Sequence, residues 1–324
     1  MKRRNALTAM LSALLWPPGA LGQDQRMPVI GVLVTHPPLT DPVFDYLRAG
    51  LKKFGYVDGK NIKIEARTAH GQLERVPGLA EELVRLRPAA IMVVNEVAVR
   101  AVKKATSTIP IVMVGHVAND PVASKLIESY ARPGGNVTGL FSVDAVLLPK
   151  RLELLRDALP GLSRVAVFWD SNFGRDQLDE LQRVAQPLRL ELQPIAVRSV
   201  EDLEPAFKAA RRNQAQALMW TWSPVPWVHK ARVAQLAIEA KLASIGEYIE
   251  YVEVGGLMSY GSSNPDNWAR AVYYVDRLLK GTKVAELPVE QVSTFKLAVN
   301  LKTAKALGIK IPESVLMRAD EVIR

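Results

Sequence analysis

Short apolar runs alternate with amphipathic stretches along almost the whole chain, and this alternation constrains the fold more than any other feature. Residues 29–35 (VIGVLVT) form a continuous, largely β-branched run, which is typical of a strand buried on both faces. Phe44, Leu47 and Leu51 then recur at helical spacing. Repeated along the chain, this order predicts an α/β fold with parallel strands and helices on both faces of each sheet.

The alternation occurs twice, separated by a turn-rich break at residues 132–136 (RPGGN). The predicted strands are residues 29–35, 62–66, 91–94, 109–114, 165–169, 190–197, 217–220, 242–246, 257–260 and 295–299. The predicted helices are residues 41–55, 73–86, 97–105, 121–131, 147–159, 175–187, 200–212, 225–240, a long helix that ends at Gly281, and two short ones in the tail. This pattern predicts two Rossmann-like lobes. The carboxyl ends of both sets of strands would surround one cleft, which a hinge can close.

The N-terminal residues have the pattern of a secretory signal peptide. Lys2, Arg3 and Arg4 precede an apolar stretch of about ten residues, which is too short to span a bilayer. Residues 20–22 (ALG) form a small-x-small cleavage signal. We therefore expect cleavage near Gly22 and a periplasmic protein, the alternative being a disordered N-terminal tail.

Composition excludes several kinds of site. The chain has no cysteine, which rules out disulfides, thiol nucleophiles and iron–sulfur clusters. Removal of residues 1–22 takes away three basic residues and no acidic one, which lowers the net charge from +9 to +6. This mild charge, without a long basic run, argues against nucleic-acid binding. The four histidines lack metal-ligand spacing, and the sequence contains no phosphate-binding loop or nucleophile elbow. We therefore expect that the protein binds no metal or cofactor and is not an enzyme.

Nine short segments, in order along the chain, resemble the tryptophan-binding-protein-like family of ABC-transporter substrate-binding proteins. They are residues 55–62 (GYVDGKNI), 106–112 (TSTIPIV), 120–122 (DPV), 131–139 (ARPGGNVTG), 150–155 (KRLELL), 256–261 (GLMSYG), 274–281 (YVDRLLKG), 300–308 (NLKTAKALG) and 318–322 (RADEV). Two positions depart from the family pattern, since Gly246 stands where members commonly carry Tyr and Ile249 where they carry Arg.

The resemblance implies a type I periplasmic-binding-protein architecture, with the ligand cleft at the hinge. It implies a first lobe of residues 27–140 plus 260–287 and a second lobe of residues 141–259 plus 288–324. It also implies that the protein delivers a small molecule, an amino acid or aromatic carboxylate, to an ABC permease in the inner membrane. We expect a monomer with no nucleic-acid partner.

Candidate ligand-binding residues in the first lobe follow the predicted strands. Thr35 and His36 offer hydrogen-bond donors to a carboxylate, although they also fit a proline-rich turn. Asn95 and Glu96 end the third strand, where Asn95 is equally suited to cap the next helix and Glu96 to sit favourably at its N-terminus. Gly115 and His116 follow the fourth strand, with Asp120 as a cap for the predicted helix at Pro121. Asn136 and Thr138 lie in a glycine-rich segment that we favour as the hinge.

In the second lobe, three tryptophans at strand ends predict a stacking wall for a planar ligand. Trp169 and Asp170 end one strand, and Trp220 and Trp222 lie two residues apart at another, which would place both indoles on one side. Packing is the alternative, and it is our interpretation for Trp227 and Trp268. Glu247 could receive an amine, or be a solvated loop carboxylate. Tyr260 could donate a hydrogen bond, or pack at the hinge.

The sequence thus predicts a periplasmic solute-binding protein of an ABC importer. A periplasmic sensing module that presents its ligand to a receptor would use the same fold, so the sequence leaves that alternative open.

Overall fold

The computed structural model describes residues 27–36, 38–115, 120–142, 144–170 and 175–324, and the strands in these ranges form two sheets. His116 lies outside the described residues, as does the predicted signal peptide. The strands are β1 (Val29–Val34), β2 (Lys63–Thr68), β3 (Ala90–Val93), β4 (Ile111–Val114), β5 (Val137–Phe141), β6 (Arg164–Trp169), β7 (Glu191–Ala196), β8 (Ala217–Trp220), β9 (Ala243–Gly246), β10 (Met258–Gly261), β11 (Glu290–Gln291), β12 (Lys296–Asn300) and β13 (Glu321–Ile323).

The helices alternate with these strands. They are α1 (Val43–Lys53), α2 (Val76–Arg85), α3 (Glu96–Ala105), α4 (Leu148–Ala158), α5 (Arg175–Ala185), α6 (Leu203–Arg212), α7 (Pro224–Val228), α8 (Lys230–Glu239), α9 (Ile249–Glu253), α10 (Asn264–Leu279), α11 (Leu301–Leu307) and α12 (Glu313–Leu316). Short 3₁₀ turns cover Leu73–Arg75, Asp144–Leu147, Val200–Asp202 and Val284–Glu286. Within the described ranges, no helix combines the length and apolarity needed to cross a membrane.

The order of the strands determines where a ligand site can form. The first sheet runs β11-β5-β4-β3-β1-β2, with every pair parallel. The second runs β13-β12-β10-β9-β8-β6-β7 and is parallel except for the β10–β12 pair. The order reverses between β1 and β3 in one sheet and between β6 and β8 in the other. At such points the connections leave to opposite faces, which opens a crevice at the carboxyl ends of the strands.

Each sheet is covered on both faces, as its apolar strands predict. Alternate residues of β1 enter different clusters, with Ile30 and Val32 packing on one face and Leu33 on the other. The strands of the second sheet divide in the same way, Val167 facing one cluster and Phe168 the other. The predicted fold class, two Rossmann-like lobes with mostly parallel sheets, is confirmed.

The chain passes between the lobes three times. It leaves the first sheet after β5, returns to the first lobe after β10, and enters the second sheet again at β12. On its return it forms α10, which packs closely on α1, since a Cβ at Gly50 would lie 3.0 Å from Val272 Cγ2. Strand β10 pairs with β9 and β11 pairs with β5, so the chain leaves the second sheet after Gly261 and the first sheet after Gln291. Both points lie a few residues beyond the predicted boundaries at 259 and 287.

Three sequence-based interpretations were wrong. The predicted helix at residues 121–131 consists of turns, because Lys125 adopts a left-handed φ of 57° that ends the first turn. The Asp120 carboxylate does accept the expected backbone N–H bond, from Val122 at 2.7 Å. The glycine-rich segment favoured as the hinge leads directly into β5, inside the first sheet. The predicted helix at 225–240 is divided at His229 into α7 and α8.

Candidate functional site

A cavity lies between the two lobes, at the carboxyl ends of β1 and β3 in the first sheet and of β8 and β9 in the second. It contains about 630 Å³ of space between its lining atoms, part of it open to solvent. Its walls are mostly apolar and aromatic, with a few polar side chains. The lining residues are Val34, Thr35, His36, Val43, Val94, Asn95, Asn264 and Trp268 from the first lobe, and Trp222, Pro224, Trp227, Glu247 and Tyr248 from the second.

The polar corner of the first lobe is built from the residues that end β1 and β3. Asn95 caps α3, its Oδ1 accepting the Ala98 N–H at 3.0 Å. Its Nδ2 donates to Thr35 Oγ1, and this hydroxyl lies 2.7 Å from Nδ1 of His36. The helix cap therefore fixes the amide, the amide fixes the hydroxyl, and the hydroxyl fixes the ring. These groups are oriented by the fold before any ligand arrives.

His36 is a neutral ring at the lobe interface. Burial disfavours the charged imidazolium and lowers its pKa from 6.5 to about 4. Since Thr35 Oγ1 accepts from Asn95, its own proton is available for Nδ1 of the neutral ring. The ring also meets Trp222 of the second lobe edge to face, with centroids 6.1 Å apart. His36 thus connects the polar corner with the aromatic wall.

Three indoles and a phenol form that wall. Trp227 and Tyr248 meet edge to face at 5.1 Å, and the ammonium of Lys230 lies 4.4 Å from the centroid of Trp227. Trp227 belongs to a second-lobe helix but packs against the core of the first lobe. Trp268 both lines the cavity and is part of that core. An aromatic surface of this kind suits a planar ligand.

A carboxylate faces the cavity from the second lobe. Glu247 is 7% exposed and lines the cavity directly after β9. Its Oε1 lies 3.7 Å from Nη1 of Arg151, a guanidinium buried behind it. Such a carboxylate can receive a cationic group of a ligand.

A second buried carboxylate joins the lobes beside the cavity. Glu250 of α9 accepts a hydrogen bond from the Tyr46 hydroxyl of α1 at 3.2 Å and from the Asn264 amide of α10 at 3.1 Å. Burial, followed by the charge of Glu250, raises the pKa of Tyr46, so its phenol stays protonated and donates. Both donors belong to the first lobe and the acceptor to the second, so these bonds hold the lobes together.

The structure brings five of the predicted ligand-binding residues to the cavity: Thr35, His36, Asn95, Trp222 and Glu247. It also places four polar or aromatic residues there that the sequence analysis did not assign to ligand binding, beside the apolar Val34, Val43, Val94 and Pro224. Trp227 and Trp268 had been interpreted as packing residues, while Tyr248 and Asn264 had not been singled out. Tyr248 adjoins Glu247, and Asn264 follows a lobe crossing, so proximity to predicted site residues was the available signal.

Other predicted residues lie away from this cavity, for identifiable reasons. Strand β8 ends at Trp220, so the strand alternation that would place Trp220 and Trp222 on one side does not continue to Trp222. Trp220 instead packs edge to face on Tyr251, with ring centroids 4.9 Å apart. The Asn136 amide donates to the carbonyls of Thr106 and Ile109. Both side chains thus have their contacts within the protein, away from the cavity.

Two predicted residues of the first lobe also have their partners within the protein. The Thr138 hydroxyl donates to the Leu287 carbonyl at 2.7 Å, and Glu96 pairs with Arg100 at 2.6 Å on α3. Gly115 directly follows β4 at a φ of +70°, and a Cβ at this position would lie 3.4 Å from Asn267 Nδ2.

In the second lobe, Trp169 packs against the core, with the Arg175 guanidinium 5.8 Å from its ring centroid. Tyr260 packs near Phe295, with centroids 6.2 Å apart. Asp170 borders the outer mouth of the cleft, together with His36 and His229.

The site offers no arrangement for metal chemistry within the described part of the chain, where no group of three histidine or carboxylate side chains could hold an ion. Comparison with known proteins agrees with a binding role. Residues 29–323 match the family model of the ABC transporter substrate binding protein.

The chain belongs to this family.

The similarity of this substrate-binding protein to its relatives extends over most of its length. A tyrosine-binding protein of Clostridioides difficile (strain R20291) is 25% identical over 283 residues, which are 87% of this chain and 80% of that protein. The structure of an ABC domain from Streptococcus pneumonia in complex with L-Trp has a TM-score of 0.78 and 26% identity, covering 92% of this chain and all of that one (100%). A conserved domain protein from Vibrio cholerae O1 biovar El Tor has a TM-score of 0.79, 26% identity and the same coverage.

These similarities confirm the predicted resemblance and the type I periplasmic-binding-protein architecture. The family is one of solute-binding proteins and not an enzyme class.

Proposed function

We propose that this protein captures an aromatic amino acid between its two lobes and presents it to an ABC permease. The observation that carries the proposal is the interlobe cavity itself, which combines an aromatic wall with a hydroxyl and amide corner at one side and a carboxylate at another. An aromatic amino acid has a planar ring, a carboxylate and an ammonium group, and these features match the three parts of the cavity.

Each lobe supplies a different part of the recognition. The Asn95 amide donates one N–H to Thr35, and its second N–H is a hydrogen-bond donor suited to a ligand carboxylate. Glu247 is suited to the ammonium group, and Trp222 and Trp227 to the ring. A ligand held by both lobes binds the closed arrangement more tightly than the open one, and this difference in affinity drives closure.

The two relatives with named ligands support the same ligand class, since one is a tyrosine-binding protein and the other was solved with L-Trp. The basic and apolar N-terminal pattern supports export to the periplasm, where a permease would receive the closed protein. Uptake of labelled ligand by cells with and without the protein tests the permease partner, and equal uptake would argue against an importer.

Binding is tested by calorimetry and thermal unfolding with L-tryptophan, L-tyrosine and L-phenylalanine, with L-leucine as an aliphatic control. At a hundred times its dissociation constant, a ligand should stabilise the protein by about 2.7 kcal/mol. Stabilisation by L-leucine alone would contradict an aromatic ligand.

Two tryptophan variants locate the site. Trp222→Ala should weaken an aromatic ligand by roughly 1–3 kcal/mol, because it removes an indole from the cavity wall. Trp169→Ala is the matched control, since this indole packs on the core of the second lobe and should affect stability alone. Equal losses of affinity in the two variants would refute the placement of the ligand.

A further inference from the structure

Arg151 carries a positive charge into the interior of the second lobe. It is the fourth residue of α4 and is only 1% exposed. Its Nε donates to the Tyr260 carbonyl of β10 at 2.7 Å. Among the described residues, Nη1 and Nη2 have no hydrogen-bond acceptor. A guanidinium with so few bonds is unfavourable in the interior unless an anion compensates its charge.

The anion that faces Arg151 is Glu247. The distance of 3.7 Å between Nη1 and Oε1 is that of an ion pair and too long for a hydrogen bond. The carboxylate of Glu247 is therefore attracted toward Arg151 without being locked in a bidentate pair. Since Glu247 also lines the cavity and Arg151 does not, the same carboxylate lies between the buried cation and the space for the ligand.

The backbone around this pair is tightly packed, which holds both partners in place. A Cβ at Gly261 would lie 2.0 Å from the Glu247 carbonyl oxygen and 3.5 Å from Arg151 Nη2. The end of β10, the backbone of Glu247 and the guanidinium thus contact one another where the chain leaves the second lobe. Arg151 is anchored by a β10 carbonyl and provides a fixed charge beside the Glu247 carboxylate.

We propose that Arg151 is a positioning residue for Glu247, holding its carboxylate at the cavity wall, where it receives the ammonium group of the ligand. The proposal rests on the proposed function, because it requires a ligand with an amine. Arg151 itself touches no ligand.

The test compares two probes that differ only in the amine, L-tryptophan and indole-3-propionate. Arg151→Met keeps an unbranched side chain that can pack in the interior and removes the charge. It should weaken L-tryptophan by about tenfold or more, as expected for a charge-assisted bond, and leave indole-3-propionate within about twofold. Arg151→Lys should recover part of the affinity for L-tryptophan. Equal weakening of both probes, or of neither, would overturn the positioning role.

A double variant keeps the test decisive if Arg151→Met alone does not fold. Arg151→Met combined with Glu247→Gln leaves neither charge buried without its partner. If Arg151 acts through Glu247, the double variant should bind L-tryptophan as well as Glu247→Gln does. A further loss for both probes in the double variant would refute the inference. Failure of the unmodified protein to bind either probe would instead refute the proposed function, and this inference with it.

Discussion

The hydrogen bond between Tyr46 and Glu250 should contribute to ligand affinity through lobe closure alone. The tyrosine hydroxyl belongs to α1 of the first lobe and the carboxylate to α9 of the second, and neither residue lines the cavity. Tyr46→Phe removes only the hydroxyl and leaves the ring packed against the core of the first lobe. Any change in affinity must then come from the energy that joins the lobes.

The magnitude follows from the contact. Hydrogen bonds to charged groups contribute about 1.5–3 kcal/mol, and the half-buried Tyr46 and its 3.2 Å distance place this one at the low end. The Asn264 amide remains on Glu250 after the substitution, so the carboxylate keeps one partner. We expect a loss of roughly 1–2 kcal/mol in the closed state, equivalent to a dissociation constant about 5–30-fold higher.

Tyr56→Phe is the matched control. Its hydroxyl donates to the Asp276 carboxylate at 3.0 Å, the same chemistry, with both residues in the first lobe. This variant should lower the free energy of unfolding and leave the affinity unchanged. Calorimetry with L-tryptophan and denaturant unfolding of both variants separate the two effects. A similar affinity in Tyr46→Phe and in the unmodified protein would show that the interlobe bond does not stabilise closure.

Two further predictions concern pH and packing. Burial lowers the pKa of His36 to about 4 in the folded protein, so the unfolded chain takes up a proton first as pH falls. The stabilisation should therefore be complete above pH 6.5 and decline toward pH 4. In thermal unfolding, His36→Asn should reduce this decline. At Gly246 a Cβ would lie 2.8 Å from the Tyr251 ring, so Gly246→Ala should destabilise the protein by about 1–3 kcal/mol in denaturant unfolding. An added Cβ at Gly78 in α2 would meet no atom within 4 Å, so Gly78→Ala should stabilise the protein by about 0.4–1 kcal/mol. If packing at Gly246 were loose, the two substitutions would not change the free energy of unfolding in opposite directions.

The sequence predicted the fold well because most strands are buried on both faces and therefore apolar throughout. It failed at β5, where Gly139 interrupts the apolar run. A Cβ at this position would lie 2.4 Å from the Met113 carbonyl oxygen, so glycine allows β5 to approach β4. The glycines that suggested a hinge are in part a requirement of sheet packing. That requirement depends on the neighbouring strand and cannot be seen in the segment itself.

The candidate site was predictable where a strand end leads directly into it. Thr35, Asn95, Trp222 and Glu247 all follow strands, and the crevice rule for parallel sheets applies to them. Trp268 was not predictable, because it lies one turn inside α10 and reaches the cavity only through the packing of that helix on α1. Contacts between the lobes depend on the path of the chain across three connections, which local patterns do not encode.

Gly246 is required by a nearby aromatic residue. The Tyr251 ring occupies the space beside Gly246, where it meets Trp220 edge to face and donates its hydroxyl to Ser244 at 2.6 Å. A tyrosine side chain at position 246 would collide with this ring. Because Tyr251 and Trp220 fill the interior behind β9, Tyr248 and Trp222 remain to form the cavity wall. A single glycine in β9 thus allows Tyr251 and Trp220 to pack together as core behind the strand.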